Sequence, residues 1–409
     1  MFASSTVPAI EKQTSHIDLA VSGSLMAILK QSIENQKPVS MKTYKYRLRP
    51  SKSQRTRLMQ TLELCRWVYN ETLAIRKHAW EQEGKSLSLY DTHKLLPIWK
   101  QAHPELKDAY SQVLQNVQAR VDLAFQAFFR RVKAGEKPGY PRFRGKGWYD
   151  SFTFKQSGFA LLENGLHLSK IGVVKIVLHR PLEGRIKTLT IRRDAIGNWY
   201  ACLACEVEPA PLPFNAKVVG IDVGLDSFAT LSNGVKVENP RFFRRNEKEL
   251  AKAQRKLSGA EKGTPQQARR RKAVQHIHQR IANQRRDFIH QLSHEWVTGF
   301  GMITFEKLNG KNMLQNHRLA KSISDAAWHQ LIAYTTYKAE NAGRVVVLVD
   351  PRNTSQQCSG CGTMVSKPLS VRVHACPTCG LVMDRDQNAA MNILGLGLQS
   401  LGIALEVPA

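Results

Sequence analysis

Long apolar runs are absent from this chain of 409 residues. A helix that spans a bilayer needs roughly 20 consecutive apolar residues, so the sequence predicts no membrane segment. The N-terminus also lacks the basic stretch, the apolar stretch and the cleavage site that together mark a secretory signal. Both absences favour a cytoplasmic protein that does not act on a membrane.

Acidic residues are scarce beside basic ones. The chain has 33 Asp and Glu against 60 Lys and Arg, which gives a formal net charge of +27 at pH 7. An excess of this size is the electrostatic footprint of a protein that binds a polyanion, with phosphate contacts spread over a wide surface. The charge indicates a nucleic-acid partner but no reaction, because a ribosomal protein can be equally basic.

Cysteines are few, and their spacing favours metal binding in a reducing compartment over a disulfide framework. Four of the seven form two Cys-x-x-Cys pairs, each followed by glycine and separated by fourteen residues: Cys358, Cys361, Cys376 and Cys379. Four thiolates at this spacing predict one structural Zn²⁺ ion, closed to substrates because no ligand position stays open. Cys65, Cys202 and Cys205 lie in apolar patterns, which predicts core positions.

The N-terminal half divides by its periodicity. Residues 1–40 carry no net charge and are expected to be an extension without fixed structure, with the folded chain beginning at Met41. Apolar residues at helical spacing predict a helical domain over 55–133. Alternating apolar residues and turn signals predict short strands from about 152 to 209, which would form a small β-barrel or sheet. A proline-rich segment, Ala210–Phe214, marks the predicted domain boundary.

Two basic segments are predicted to contact nucleic acid. Between Arg130 and Phe154, basic side chains alternate with aromatic rings, which suits phosphate contacts and base stacking on a single-stranded or structured RNA. From 241 to 288 the chain is predicted to form a basic helical hairpin. The candidate contacts are Arg142, Phe143, Arg144, Lys146, Arg244, Arg245, Arg270 and Arg271. A solvated loop and a solvated pair of helices are the alternatives.

The C-terminal half carries acids inside apolar strands. Asp222 lies in the strand predicted over Val218–Val223, and Glu306 ends another that begins at Met302. A carboxylate in such a strand is costly to bury unless a partner such as a divalent cation neutralises it. The predicted order of elements, β-β-β-α-β-α-β, is that of a ribonuclease H-like sheet, and its second helical segment is predicted over about Ser322–Ala342.

A third acid follows the zinc motif. Asp386 lies at the start of a predicted helix, where it is placed to approach the sheet that carries Asp222 and Glu306. Three carboxylates that converge on two Mg²⁺ ions provide what phosphodiester hydrolysis needs, a metal-activated water and a clamp on the leaving oxygen. The zinc knuckle would then fix where Asp386 arrives. Asp384, two positions earlier, is predicted to cap the helix or to stay solvated.

Several motifs of the chain, taken in order, point to one family. They are GIDVGLDSFAT, TFEKLN, SISDAAWHQL, TSQQCSGCG and DRDQNAAMNI. These motifs resemble the TnpB proteins of insertion sequences, which are related to the type V CRISPR effectors and are often labelled transposases. The resemblance covers about Met41 to Leu394, with a looser match in the N-terminal half through RWVYN and GYPRFRGK.

The resemblance implies an α+β multidomain fold. A wedge-type β-barrel with an inserted helical recognition domain would precede a RuvC-type, ribonuclease H-like α/β domain that carries an inserted four-cysteine zinc ribbon. The implied division is an extension at 1–40, the wedge barrel at 41–54 and 134–213, the recognition domain at 55–133, the nuclease domain at 214–354 and 383–396, the zinc ribbon at 355–382 and a tail at 397–409.

The resemblance also implies an activity, that of an RNA-guided DNA endonuclease from a prokaryotic transposable element. Its guide would be an RNA from the element's own end, bound by one protein chain, and its substrate double-stranded DNA beside a short transposon-adjacent motif. The catalytic acids would be Asp222, Glu306 and Asp386. Two alternatives stay open: an RNA-guided repressor that binds DNA without cutting, and a transposase that joins strands itself. All three acids are present, which favours cleavage, and the Asp-Glu-Asp order with a zinc insertion favours a RuvC-type site over the Asp-Asp-Glu pattern.

Overall fold

The computed structural model describes residues 40–403 apart from 369, together with 27, 30 and 31. The predicted extension at 1–40 and the last six residues of the predicted tail therefore lie almost entirely outside the described residues. The described chain divides after Glu208 into two compact units. No helix among the described residues is long and apolar enough to cross a membrane.

The first unit contains a seven-stranded antiparallel sheet that nearly closes into a barrel. Its strands are β1 (Ser40–Arg49), β2 (Ser151–Phe154), β3 (Phe159–Leu162), β4 (Gly165–Leu168), β5 (Gly172–Val177), β6 (Arg185–Arg193) and β7 (Trp199–Val207). They lie side by side in the order β2-β6-β7-β1-β5-β4-β3. Residues of β7 alternate strictly between buried and half-buried, so one face of the strand packs into the core. Cys205 and Cys65 are buried as predicted, whereas Cys202 lies on the other face of β7 and is only half-buried.

Three helices and a short 3₁₀ turn are inserted between β1 and β2. They are α1 (Lys52–Glu83), α2 (Leu89–Ala102), the 3₁₀ turn (Pro104–Asp108) and α3 (Ser111–Lys133). α1 begins at a capping box, in which the side chains of Ser51 and Gln54 each accept a hydrogen bond from the other's backbone amide, and it ends at Gly84 in the left-handed conformation. One hydrophobic cluster contains residues of both the helices and the sheet, so the insertion and the sheet share a core.

The second unit contains a five-stranded mixed sheet. Its strands are β8 (Val218–Val223), β9 (Ser227–Leu231), β10 (Lys236–Glu238), β11 (Met302–Glu306) and β12 (Val345–Val349). They lie in the order β10-β9-β8-β11-β12, with β8, β11 and β12 parallel and the β8-β9-β10 pairs antiparallel. Consecutive apolar residues of β8 and β11 are buried, as expected for parallel strands that are covered on both faces.

Helices of the second unit connect and cover this sheet. They are α4 (Phe242–Ser258), α5 (Pro265–Gly299), α6 (Gly310–Met313), α7 (Ala320–Ala326), α8 (Trp328–Ala342) and α9 (Arg385–Ser400). α4 and α5 form a hairpin between β10 and β11, and α6 to α8 connect β11 to β12. A short hairpin of β13 (Val373–Ala375) and β14 (Val382–Asp384) leads into α9. When consecutive helices are counted as one helical segment, the chain from β8 to β12 follows the predicted order β-β-β-α-β-α-β.

Three local predictions differ from the structure. The helix predicted over Ser322–Ala342 is two helices, α7 and α8, because Ala327 between them is left-handed with φ 53°. The sequence does not predict β3, since its Phe-Ala-Leu-Leu run lacks the polar alternation of a surface strand. α9 continues past the predicted end of its segment at 396 to Ser400, because Leu398 is buried in the core beside β11.

Helix α9 lies directly on the sheet because two glycines leave no side chain between them. A Cβ atom at Gly220 in β8 would lie 2.1 Å from the carbonyl oxygen of Ala390. One at Gly397 in α9 would lie 2.4 Å from the hydroxyl oxygen of Thr304 in β11. This close approach sets the distance between the sheet and the helix that carries Asp386.

Gly220→Ala is therefore expected to push α9 away from β8 and to lower the free energy of unfolding by about 1–3 kcal/mol or more, as overpacking does. Chemical denaturation of the full chain measures the change. Gly299→Ala is the matched control, since a Cβ atom there meets nothing within 4 Å. Equal stability of the two variants would contradict the packing of α9 on β8.

Candidate active site

Three acidic side chains meet at one edge of the five-stranded sheet. In the parallel neighbours β8 and β11, Ile221 is paired with Phe305. The next residue of each strand is an acid, Asp222 or Glu306, so the two carboxyl groups lie side by side. Asp386 is the second residue of α9, the helix that packs on β8. The fold thus brings together the three acids that the sequence singles out.

Burial and the neighbouring acids affect the ionisation of Asp222. The pKa of Asp222 is raised to about 8, first by burial and then by the negative charges of Glu306 and Asp386. Burial also raises the pKa of Glu306, against a hydrogen bond from Thr354 that lowers it. Carboxylates that are crowded and dehydrated are unfavourable in the ionised form unless a cation joins them. The electrostatics of this edge therefore fit a cation site.

The donor set suits a hard divalent cation. Carboxylate oxygens are ligands that Mg²⁺ prefers. Within the part of the chain that the structure describes, the zinc-motif cysteines are the one group of three or more Asp, Glu, His or Cys ligand atoms that all lie within 4.8 Å of one another. The three acids are spread more widely than this.

Two arginines contact Asp386. Arg385 donates to Asp386 Oδ1 from Nε at 3.1 Å and from Nη2 at 3.0 Å. Arg372, which precedes β13, places Nη1 3.6 Å from Asp386 Oδ2 and Nη2 3.3 Å from Asp226 Oδ2. Neither arginine is among the residues predicted from the sequence. In the sequence, only the Asp-Arg-Asp run at 384–386 draws attention to Arg385. No local pattern predicts that Arg372 lies beside Asp386.

Asp384 has a structural role at the start of α9. Its Oδ1 accepts hydrogen bonds from the backbone amides of Asp386 and Gln387 at 3.0 and 3.1 Å. Its Oδ2 accepts one from Lys236 at 2.7 Å. Asp384 is thus the N-cap residue of α9. This is one of the two roles predicted from the sequence, a helix cap or a solvated side chain.

The four cysteines of the zinc motif also meet. The Sγ atoms of Cys358 and Cys379 are 3.6 Å apart, and those of Cys361 and Cys376 are 3.5 Å apart. Sulfur atoms in a tetrahedron with Zn–S distances of ~2.3 Å would be about 3.8 Å apart, so the four residues fit one Zn²⁺ ion. The hairpin of β13 and β14, whose loop holds two of these cysteines, leads directly into α9.

In the first unit, predicted nucleic-acid contacts lie on a loop that follows α3. The four candidates, all exposed, are Arg142, Phe143, Arg144 and Lys146. Asn70 of α1 holds this loop, since its amide group exchanges hydrogen bonds of 2.7 and 3.0 Å with the backbone of Arg144. Trp148, which the sequence patterns do not single out, is 79% exposed on the same loop. The loop thus presents basic and aromatic side chains from a fixed base.

In the second unit, the predicted contacts lie on the hairpin of α4 and α5. They are Arg244, Arg245, Arg270 and Arg271. Arg270 donates to the carbonyl oxygen of Lys256 at 2.6 Å. These two residues line a groove between the helices together with Lys252, Arg280 and one acid, Glu249, which pairs with Arg280. A groove with this many cations suits a phosphate backbone.

Three protein-family descriptions match the chain. "Helix-turn-helix domain" matches residues 41–85, "Probable transposase" matches 202–317, and "Cas12f1-like, TNB domain" matches 328–393. The first range holds one strand and one long helix in this structure, β1 and α1. The second contains the acids of β8 and β11, and the third contains the zinc-motif cysteines and the acid of α9.

Relatives that match over most of the chain carry related names. A protein of Streptomyces pristinaespiralis named "Putative RNA-guided DNA endonuclease" is 37% identical over 365 residues, which cover 87% of this chain and 89% of that protein. "Putative RNA-guided DNA endonuclease InsQ" of Escherichia coli (strain K12) is 31% identical over 377 residues, which cover 87% of this chain and 92% of that protein.

A solved structure shares the fold. The matching chain belongs to "Cryo-EM structure of the Cas12f1-sgRNA-target DNA complex", with a TM-score of 0.55 and 14% sequence identity. The match covers 87% of this chain and 99% of that chain. At this identity the likeness concerns the fold alone.

Proposed function

The chain belongs to the TnpB family, which is related to Cas12f, and on this premise we propose that it is an RNA-guided DNA endonuclease. The observation that carries the proposal is the meeting of Asp222, Glu306 and Asp386 at one edge of a ribonuclease H-like sheet. The names of the relatives that span most of the chain agree with it.

The proposed reaction is hydrolysis of a phosphodiester bond in DNA. Mg²⁺, two ions in this proposal, would supply an activated water and positive charge for the leaving oxygen. The protein's part is to hold three carboxylates at fixed separations. Asp222 and Glu306 are fixed at the ends of paired strands, and Asp386 is fixed in the first turn of a capped helix. Rigid elements of this kind keep a site preorganised.

Its proposed partners are a guide RNA from the element's own end and a double-stranded DNA target next to a transposon-adjacent motif. Pairing between guide and target would supply sequence specificity, while the protein would contact backbones and the adjacent motif. The net charge of +27 and the basic surfaces of both units support these partners. The zinc ribbon would be structural, since four cysteines leave no ligand position open.

The partner assignment is tested by sequencing the RNA that co-purifies with the protein from a host that carries the element. One RNA species from the element's own end is expected. A random sample of cellular RNA would instead indicate a general RNA-binding protein, whose charge alone would explain its binding.

Trp148 provides a sharper test of the RNA contact. Its exposed ring lies on a basic loop, where it is placed to stack on an unpaired base. Trp148→Ala is expected to weaken RNA binding about tenfold, since stacking on one base contributes roughly 1–3 kcal/mol. Trp80→Ala is the matched control, because Trp80 is also well exposed, at 62%, but lies outside the basic loop. It lies on α1 beside Lys77, whose charge is paired with that of Glu81. Filter binding at fixed salt compares them, and equal affinities would argue against stacking at Trp148.

A further inference from the structure

The segment between β12 and the first zinc cysteine contacts one acid of the proposed site. Thr354 is 4% exposed, and its hydroxyl donates to Glu306 Oε1 at 2.6 Å. A second acceptor, the carbonyl oxygen of Pro351, lies farther away at 3.2 Å. A threonine hydroxyl has one proton, and hydrogen bonds to a carboxylate are the shorter and stronger ones. The proton of Thr354 is therefore directed at Glu306.

Two asparagines on one face of α9 hold the same segment. Asn392 donates from Nδ2 to the carbonyl oxygens of Thr354 and Gln357, both at 2.7 Å. Asn388, one helical turn earlier, donates to Gln357 at 2.7 Å and accepts from the amide of Ser359 at 2.9 Å. Asn388 is fully buried. Bonds shielded from water in this way are costly to lose, because their partners are left unpaired.

A continuous path of hydrogen bonds therefore runs from Glu306 on β11 to the helix that carries Asp386. We propose that Thr354 is a positioning residue, which fixes the orientation of the Glu306 carboxylate, and that Asn392 places this carboxylate in register with Asp386. The inference rests on the proposed nuclease function, because the role it assigns is at that site.

The chemistry at Thr354 differs from that of a threonine that only stabilises a helix. Thr335 of α8 is also buried, but its hydroxyl donates to the carbonyl oxygen of Leu331 in the same helix at 3.0 Å. Thr354 instead binds one oxygen of a carboxylate and leaves Oε2 of Glu306 for a metal ion. Hydrogen-bond partners of metal ligands orient them, and losing such a partner typically lowers metal affinity or activity about 10–100-fold.

The test compares Thr354→Val, which removes the hydroxyl at nearly constant volume, with Thr354→Ser, which keeps it. Thr335→Val is the matched control for losing a buried hydroxyl. The affinity for Mn²⁺ is measured by calorimetry on the full chain, freed of RNA by high salt. The single-turnover cleavage rate at saturating target is measured with the RNA complex as Mg²⁺ is varied. Zinc content and melting temperature report whether each variant keeps its fold.

We expect Thr354→Val to lower the Mn²⁺ affinity, and the cleavage rate at limiting Mg²⁺, by about 10–100-fold. The Kd for target DNA should not change. Thr354→Ser should restore both quantities, and Thr335→Val should alter neither. Wild-type Mn²⁺ affinity in Thr354→Val would overturn the proposal. So would failure of Thr354→Ser to rescue, because the shape of the side chain would then matter and not its hydroxyl.

Asn392→Leu tests the second link of the path. If Asn392 acts through Thr354, the double variant Thr354→Val/Asn392→Leu should bind Mn²⁺ no more weakly than the weaker single variant. Additive losses would overturn this link. Failure of the proposed function looks different: wild-type protein would cut no DNA, while the Mn²⁺ affinities of the variants would still decide the role of Thr354.

Discussion

Replacing Asp222, Glu306 or Asp386 with alanine is expected to slow cleavage of a matched DNA target by at least about 10³-fold, because groups that act as a unit lose nearly all activity together. Each variant removes carboxylate oxygens that the proposed ion pair needs. Guide RNA and target DNA should still bind, since the basic loop after α3 and the groove between α4 and α5 contain none of these acids.

Double replacements sharpen this expectation. Any two of the three changes combined should be little worse than one, since one loss already disables the unit.

Removing the charge of Asp222 should not lower the stability of the folded protein. Burial and the neighbouring acids raise the pKa of Asp222 to about 8, so its ionised form is unfavourable in the absence of a cation. In chelator, Asp222→Asn is therefore expected to melt no lower than the wild type.

Asp384→Ala is the control for these changes. Asp384 is also an acid and lies only two residues from Asp386, but it caps α9 and pairs with Lys236. Its replacement should cost about 1 kcal/mol of stability, the usual value of a cap, and should leave most of the activity. If Asp384 proved essential and Asp386 dispensable, the third acid would be misassigned by two residues.

Loss of the zinc site has the second large expected effect. Protein purified without chelator should contain about one zinc per chain. Cys376→Ser should lose this zinc and lower cleavage strongly, although it touches none of the three acids. The reason is the hairpin of β13 and β14, which leads from the cysteines to the N-cap of α9. Structural zinc binding contributes about 10–16 kcal/mol in small zinc domains, so this hairpin depends on it.

Cys202→Ser is the matched control for the zinc prediction. Cys202 also belongs to a Cys-x-x-Cys pair, but it lies in β7 of the first unit, and its partner points to the opposite face of the strand. The replacement should leave zinc content and cleavage unchanged. Metal analysis and cleavage rates on the same preparations decide the matter, and a zinc-free wild-type protein would rule out the Zn²⁺ site.

Local patterns were sufficient to predict the elements that bear the three acids and the four cysteines. An acid within or at the end of an apolar strand is visible in the sequence at Asp222 and Glu306, because the run around each is short and mostly apolar. Paired cysteines indicate a metal cluster by spacing alone. The cap at Asp384 follows from an acid placed just before a helix-forming run.

Contacts between distant segments could not be predicted from such local patterns. Thr354 and Asn392 are ordinary polar residues in sequence, and only the packing of α9 on the sheet brings them to Glu306. Arg372 reaches Asp386 because β13 pairs with β14, which no periodicity encodes. The left-handed break at Ala327 is likewise set by packing, since alanine favours helix wherever local propensity decides.

Cleavage of DNA by the wild-type protein with its own co-purified RNA is the decisive measurement. The substrate is a double-stranded target that matches the guide and carries the adjacent motif, incubated with Mg²⁺ or with EDTA while binding is followed in parallel. We expect the target to be bound in both conditions and to be cut only with Mg²⁺. A target that is bound but remains intact with Mg²⁺ would refute the nuclease assignment and would identify the protein as an RNA-guided repressor.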